Sequence, residues 1–226
     1  MTAALWWLAA PVVWGAYTLG SQALALGAVR RGRRQGRLAA LTFDDGPDPV
    51  QTPRVLDILA REGVQATFFL IGQRAAALPD IARRIASLGH DVGNHTWSHA
   101  NLWLCGPRRT EREIVQGHEA IAAASGRAPR CFRAPWGMTN LAVWSVLRRF
   151  NTPCIFWTVQ PEGRRPVAPA LQLRRMTERV QPGAIVDLHD ADGVPGAGRR
   201  LVEALPAAIA ALRERGYTLA PLRDLL

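Results

Sequence analysis

The chain has 226 residues, with 28 basic side chains against 18 acidic ones and a formal charge of +10. That length allows one sizeable domain with a buried core. All the basic residues are arginine, which excludes Schiff-base chemistry and a P-loop lysine; they are scattered without an aromatic-interleaved basic tract, so no nucleic-acid partner is expected.

The first predicted element is a transmembrane helix. Ala3 to Val29 carry no charge and are rich in Trp, Leu, Val and Ala, and roughly 20 apolar residues cross a bilayer. A cleaved signal peptide is the rival reading, but its positive n-region is missing and the stretch is long for an h-region. A single-pass anchor is therefore expected within residues 1–36, with Trp6, Trp7, Trp14 and Tyr17 toward one interface and the lipid bilayer as partner. Behind it come Arg30-Arg31-Gly32-Arg33-Arg34 and Arg37. By the positive-inside rule this cluster stays cytoplasmic, placing residues 37–226 on the cytoplasmic side of the cell membrane, with an extracytoplasmic domain as the alternative.

From Leu38 onward, short apolar runs alternate with helix-period stretches. Predicted strands are Leu38–Phe43, Ala66–Ile71, Asp91–Asn94, Cys131–Ala134, Cys154–Val159, Ala184–His189 and Tyr217–Ala220. Helical spacing joins Ile81, Ile85 and Leu88, and later Leu201, Leu205, Ile209 and Leu212. Pro53, Pro79 and Pro169 sit where helices open. Repeated strand–helix alternation predicts an α/β fold with a parallel sheet, and about seven such steps favour a barrel over an open sheet. Cys105, Cys131 and Cys154 are odd in number and widely spaced, so they read as buried thiols that favour a reducing compartment.

Two segments carry the chemistry. Thr42-Phe43-Asp44-Asp45-Gly46 places adjacent carboxylates before a tight turn, and His95-Thr96-Trp97-Ser98-His99 places two imidazoles at i, i+4. On one face of a helical turn, His95 and His99 can grip one cation together. A carboxylate from a strand end supplies a third ligand and leaves positions open, the pattern of a catalytic metal site. The other carboxylate is then free to take a proton from water, which points to metal-assisted hydrolysis. His118, in line with Ile114 and Ile121, reads as flanking the core, and His90 as a turn residue.

These two segments, with Arg133-Ala134-Pro135-Trp136 and Leu188-His189-Asp190 following in order, resemble the polysaccharide deacetylase family (NodB homology, carbohydrate esterase family 4) from about Leu38 onward. The resemblance implies a distorted (β/α) barrel and one divalent ion on Asp45, His95 and His99: zinc, or else cobalt, nickel or manganese. It implies Asp44 as general base on the attacking water, His189 as general acid to the leaving amine, and Arg133 as the cation that pairs with Asp44. Trp136 resembles a groove-wall aromatic, whose backbone N–H, after Pro135, helps hold the oxyanion. Two positions depart from the family pattern. The usual Asp-x-x-Asp-Trp segment is replaced by Trp157-Thr158-Val159-Gln160-Pro161-Glu162-Gly163-Arg164, and the usual Leu two residues before the catalytic His is Asp187. Strand alternation puts Asp187 on the face of His189, so a polar acyl pocket is expected, with Leu188 beside it and Glu162 or Asp187 in place of the missing carboxylate.

The function implied is hydrolysis of an N-acyl group, acetyl or formyl, from an amino sugar in a polysaccharide or lipid-linked glycan. The alternatives are a non-catalytic carbohydrate-binding pseudoenzyme and, since two His and a carboxylate also bind iron, a non-haem iron oxygenase.

Overall fold

The computed structural model describes residues 10–23, 25, 27–34, 36–163 and 165–226. Five parallel strands form the sheet: β1 (Leu38–Asp44), β2 (Thr67–Leu70), β3 (Asp91–Asn94), β4 (Ala184–His189) and β5 (Thr218–Leu219). The order is β3-β2-β1-β4, with β5 paired to the start of β1. β1 is buried along nearly its whole length, as expected of a central strand covered on both faces. Its pairing with β4 runs from Ala39↔Ala184 to Asp44↔His189, which sets two sequence-distant polar residues side by side at the C-terminal edge.

Helices α1 (Gln51–Arg61), α2 (Gly72–Ala77), α3 (Pro79–Ser87), α4 (Pro107–Ser125), α5 (Leu141–Arg149), α6 (Pro169–Arg179) and α7 (Ala197–Glu214) connect and cover the strands. α1 starts where Asp48 Oδ1 accepts from the amides of Val50 and Gln51, and it buries Val55, Leu56, Ile58 and Leu59. α7 buries Leu201, Leu205, Ile209 and Leu212, the predicted apolar stripe. The main core lies between these helices and the sheet, around Phe43, Phe68, Leu70, Val186 and Leu205.

Three expectations are corrected. The segments Cys131–Ala134 and Cys154–Val159 are not strands. They join the sheet through single bridges, Asn94↔Phe132, Phe132↔Cys154 and Val159↔Val186. Pro129, Pro135 and Pro153 punctuate this region, and proline cannot donate to a ladder. The seven-strand barrel is thus five strands plus bridging segments among the described residues. Second, His95–His99 is a loop and not a helical turn, because Thr96 (φ 69°) and His99 (φ 57°) are left-handed. Third, no helix among the described residues is long and apolar enough to cross a membrane, which overturns the predicted anchor and the location derived from it. Part of that stretch, residues 1–9, lies outside the described residues.

The described residues of that stretch touch the domain at particular points, while Val12, Val13 and Leu19 stay exposed. Helical residues 10–15 pass into a π-turn at Ala16–Gly20, followed by a helical turn at Ser21–Ala23. Its polar groups bind the domain. Trp144 Nε1 donates to Ser21 Oγ (2.8 Å), and Gln22 Nε2 donates to Gly137 O (2.8 Å). Val29 then bridges to Ile155. Apolar composition alone did not separate a helix lying on protein from one crossing lipid.

Candidate active site

Asp44 ends β1 and Asp45 begins the turn, its φ of 72° swinging its side chain round beside that of Asp44. The loop after β3 is pinned from several sides. Asn94 Oδ1 accepts from Thr96 N, Glu113 of α4 accepts from both the amide and the hydroxyl of Ser98, and Gly72 N donates to Thr96 O. A side chain at Gly117 would strike Thr96 carbonyl atoms at 2.8–2.9 Å, so only glycine lets α4 approach this closely. The loop thereby faces both imidazoles toward Asp45. His95 Nδ1 bonds Arg133 O (2.8 Å), leaving Nε2 directed at the carboxylates.

Asp45 Oδ1 lies 3.0 Å from His99 Nε2 and 3.5 Å from His95 Nε2. Neither contact has the geometry of a hydrogen bond, so this oxygen is buried without a donor. One ligand atom from each of Asp45, His95 and His99 falls within 4.8 Å of the others. Two imidazole nitrogens and an orphaned carboxylate oxygen are a donor set that fits a divalent ion. Burial raises the Asp45 pKa, but the imidazoles of His95 and His99 outweigh it and hold the carboxyl well below the usual range.

Arg133 is fully buried, and one nitrogen, Nη1, reaches Asp44 Oδ1 (2.7 Å), Thr42 Oγ1 (2.8 Å) and Asp187 Oδ1 (3.2 Å). Its guanidinium stacks on Phe69 at 4.2 Å and on Trp157 at 5.6 Å. Thr42 donates in turn to Val186 O. Asp44 is therefore held by a rigid buried cation.

Around these groups lies a cavity of about 250 Å³, lined also by Trp136, Trp157, Gln160, Asp187, His189 and Gly193. Burial disfavours the His189 imidazolium, but Asp187, Asp45 and Asp44 outweigh it and raise the ring above its ordinary pKa. Burial and the Asp44 charge push Asp187 up to about 7, and Gln160 Nε2 donates to its Oδ2 (2.9 Å). Trp136 has a left-handed backbone (φ 54°), and its half-exposed ring stands edge-on to His99 at 4.5 Å.

Of the residues expected in the site, Asp44, Asp45, His95, His99, Trp136, Asp187 and His189 all line this cavity, with Arg133 behind Asp44. Leu188 does not. Strand alternation turns it into the core. Glu162 does not either. It is buried against Arg200, which reaches it at 2.7–2.8 Å, and it accepts from Val167 N. Pro135 is buried at the start of the Pro135–Gly137 turn and serves to present Trp136. Gln160, Trp157 and Gly193 were missed in the sequence. Gly193 is required because a Cβ there would lie 2.0 Å from Asp45 Oδ2, a contact no local sequence signal announces.

A family model described as polysaccharide deacetylase matches residues 31–155. The chain is 37% identical to a chitooligosaccharide deacetylase of Bradyrhizobium sp. across 84% of this chain and 90% of that protein. Its fold superposes on a crystal structure of a peptidoglycan N-acetylglucosamine deacetylase with a TM-score of 0.83 and 31% identity, covering 92% of this chain and 96% of that one. It also superposes on a CE4 family pseudoenzyme from Bacillus anthracis, with a TM-score of 0.78 and 27% identity, covering 88% and 68%. By this family match and these relatives, the chain belongs to the polysaccharide deacetylase family.

Proposed function

We propose that this protein is a metal-dependent hydrolase that removes the acyl group from the nitrogen of an amino sugar in a glycan. The observation that carries the reading is the pairing of Asp44 with His189 across adjacent strands, beside an Asp–His–His donor set and behind an accessible cavity. Asp45, His95 and His99 would hold a divalent ion, zinc by donor type, with cobalt, nickel or manganese as substitutes. When bound, such an ion polarises the amide carbonyl and acidifies water. Asp44, oriented by Arg133, takes the proton as water attacks the carbonyl carbon. The Trp136 N–H makes no backbone hydrogen bond among the described residues and is available to the developing oxyanion. His189 then gives its proton to the amine nitrogen as the C–N bond breaks, releasing acid and free amine.

The acyl pocket is polar. Asp187 and Gln160 stand where an acetyl methyl would otherwise meet an apolar floor, and a methyl gains little against hydrated polar groups. A formyl group, with no methyl to bury, suits this pocket as well as acetyl. The test is incubation with acetylated and formylated amino-sugar oligosaccharides, with detection of the released acid before and after chelation. Chelator-sensitive release supports the hydrolase, whereas glycan binding without release in any metal-loaded sample supports the pseudoenzyme. Asp187→Leu should raise acetyl turnover relative to formyl several-fold, and an unmoved ratio would remove Asp187 from acyl selection.

A further inference from the structure

Outside the cavity just described, a second cleft of about 190 Å³ opens on the far side of Trp136 and Trp157. Its walls are Gln22, Arg30, Trp136, Gly137, Phe156 and Trp157. The two hollows share both tryptophans as walls, so a chain of sugars whose reacting unit sits at Asp44 and His189 extends naturally across these rings. Two of the cleft residues come from the N-terminal segment ahead of β1. That segment is fixed in place. Gln22 clamps the Trp136 turn, its Nε2 donating to Gly137 O (2.8 Å) and its Oε1 accepting from Thr139 N (3.1 Å) and Thr139 Oγ1 (3.0 Å). Val29 N donates to Cys154 O, and Phe156 N donates to Val29 O, both at 2.8 Å. The next residue, Arg30, is thereby directed over the Phe156 ring, with its guanidinium carbon 4.6 Å from the centroid.

Arg30 differs from the buried arginines near the site. Arg133 is spent on Asp44 and Asp187, and Arg200 on Glu162. Arg30 is exposed and, among the described residues, pairs with no carboxylate. A guanidinium stacked on an aromatic face keeps its in-plane N–H donors free, in the fork that matches an oxyanion. The neutral groups of a simple amino-sugar chain need no such cation, and an unpaired arginine on the wall of a glycan groove selects charge.

We propose that this cleft is a substrate subsite in which Arg30 binds an anionic substituent, a carboxylate or a phosphate, on the sugar next to the one that is deacylated. Gln22 and the two tryptophans shape the subsite. The inference rests on the hydrolase reading for its catalytic readout and on Arg30 alone for its charge selectivity. The experiment compares three disaccharides: neutral N,N′-diacetylchitobiose, its 1-phosphate, and N-acetylglucosaminyl-N-acetylmuramic acid. Wild type and Arg30→Gln are assayed for kcat/KM. Binding is measured by calorimetry in Asp44→Asn with and without Arg30→Gln, an arm that requires no turnover. The ratio of anionic to neutral substrate should fall about tenfold in Arg30→Gln, through KM and in Kd alike, the scale of one charge-assisted contact. Arg30→Lys should restore part of it, and added salt should erode it in wild type. The better of the two anionic arms identifies the substituent. An anionic-to-neutral ratio that Arg30→Gln leaves unchanged, including an equal loss on all three ligands, overturns the proposal. Absence of turnover with charge-selective binding intact would count against the hydrolase reading only.

Discussion

Each end of the parallel sheet carries a histidine, an aspartate and an arginine, and the two ends use them in opposite senses. At the N-terminal end, His90, Asp91 and Arg223 border a cavity of about 590 Å³. Arg223 binds Asp91 at 2.6 Å and the Gly89 carbonyl at 3.2 Å, so the carboxylate there already has its cation. His90 is buried and its Nδ1 accepts the Ala66 amide, which requires a neutral ring. Burial, then Arg223, push its pKa down to about 4 against the pull of Asp91. At the C-terminal end, the smaller cavity gathers Asp44, Asp45 and Asp187 around His95, His99 and His189, with Arg133 fixed behind Asp44. There carboxylates outweigh burial and raise His95 and His189. Three clustered carboxylates beside an orphaned oxygen fit an added cation, and a neutral imidazole beside an Asp91 already paired with Arg223 does not. Cavity volume alone points to the other end, away from the Asp45, His95 and His99 donor set.

The hardest test of this contrast is removal of the cation ligands. His95→Ala and His99→Ala should each reduce bound divalent metal from one per chain to none and abolish hydrolysis, because no spare ligand replaces them. Elemental analysis after gel filtration measures the first, and acid release the second. Retained stoichiometry in both variants would show that the excess carboxylates serve another purpose. The N-terminal counterpart, His90→Gln, should leave metal content unchanged.

Next in size is the base. Asp44→Asn keeps an oxygen that accepts from Arg133 but cannot take a proton. Its kcat should fall roughly a hundredfold or more with metal content intact. His189→Ala should do the same for amides while sparing activated esters, whose leaving groups need no proton. Near wild-type amide hydrolysis in both would reject the acid–base pair.

The contrast between the ends also shows what a sequence displays. The two aspartates, the two imidazoles, Arg133 and His189 stand in short motifs, and β1 and β4, which end on Asp44 and His189, are legible because apolar runs mark buried parallel strands. The predicted helical turn at His95 failed because two left-handed residues, Thr96 and His99, are held by partners remote in sequence: Glu113, Gly117 and Gly72. Gly193 and Gln160 were silent for the same reason, their importance lying in approach to Asp45 and Asp187 across the fold. Glu162 looked like a spare carboxylate until Arg200, on α7, claimed it. His90 read as a turn residue because nothing local says that its ring is buried against the Ala66 amide.

That buried ring gives a stability prediction. The unfolded chain takes up a proton near pH 6.5, while folded His90 waits until about 4. Between these values the unfolded state binds more protons, so stability falls as pH drops through that window. The loss between pH 7 and pH 5 is about 2 kcal/mol. His95 and His189, raised in the folded state, act with the opposite sign. The informative quantity is therefore the difference between wild type and His90→Gln, whose amide oxygen still accepts from Ala66. Denaturant unfolding at both pH values should show the variant losing about 2 kcal/mol less than wild type.

The smallest effect separates the two causes acting on His90. Arg223→Gln removes the cation that helps depress the ring, but leaves the burial that depresses it more. The His90 titration, followed by the pH dependence of its ring proton resonance, should move upward yet stay below the ordinary 6.5. The acid loss of stability should shrink in step, because the folded and unfolded values approach one another. Asp91 loses its ion partner in this variant and gains freedom to attract the imidazolium, which pushes the same way. A titration that does not move would mean that Arg223 is screened from the ring by the solvent of the large cavity. Burial would then account for the whole depression of His90.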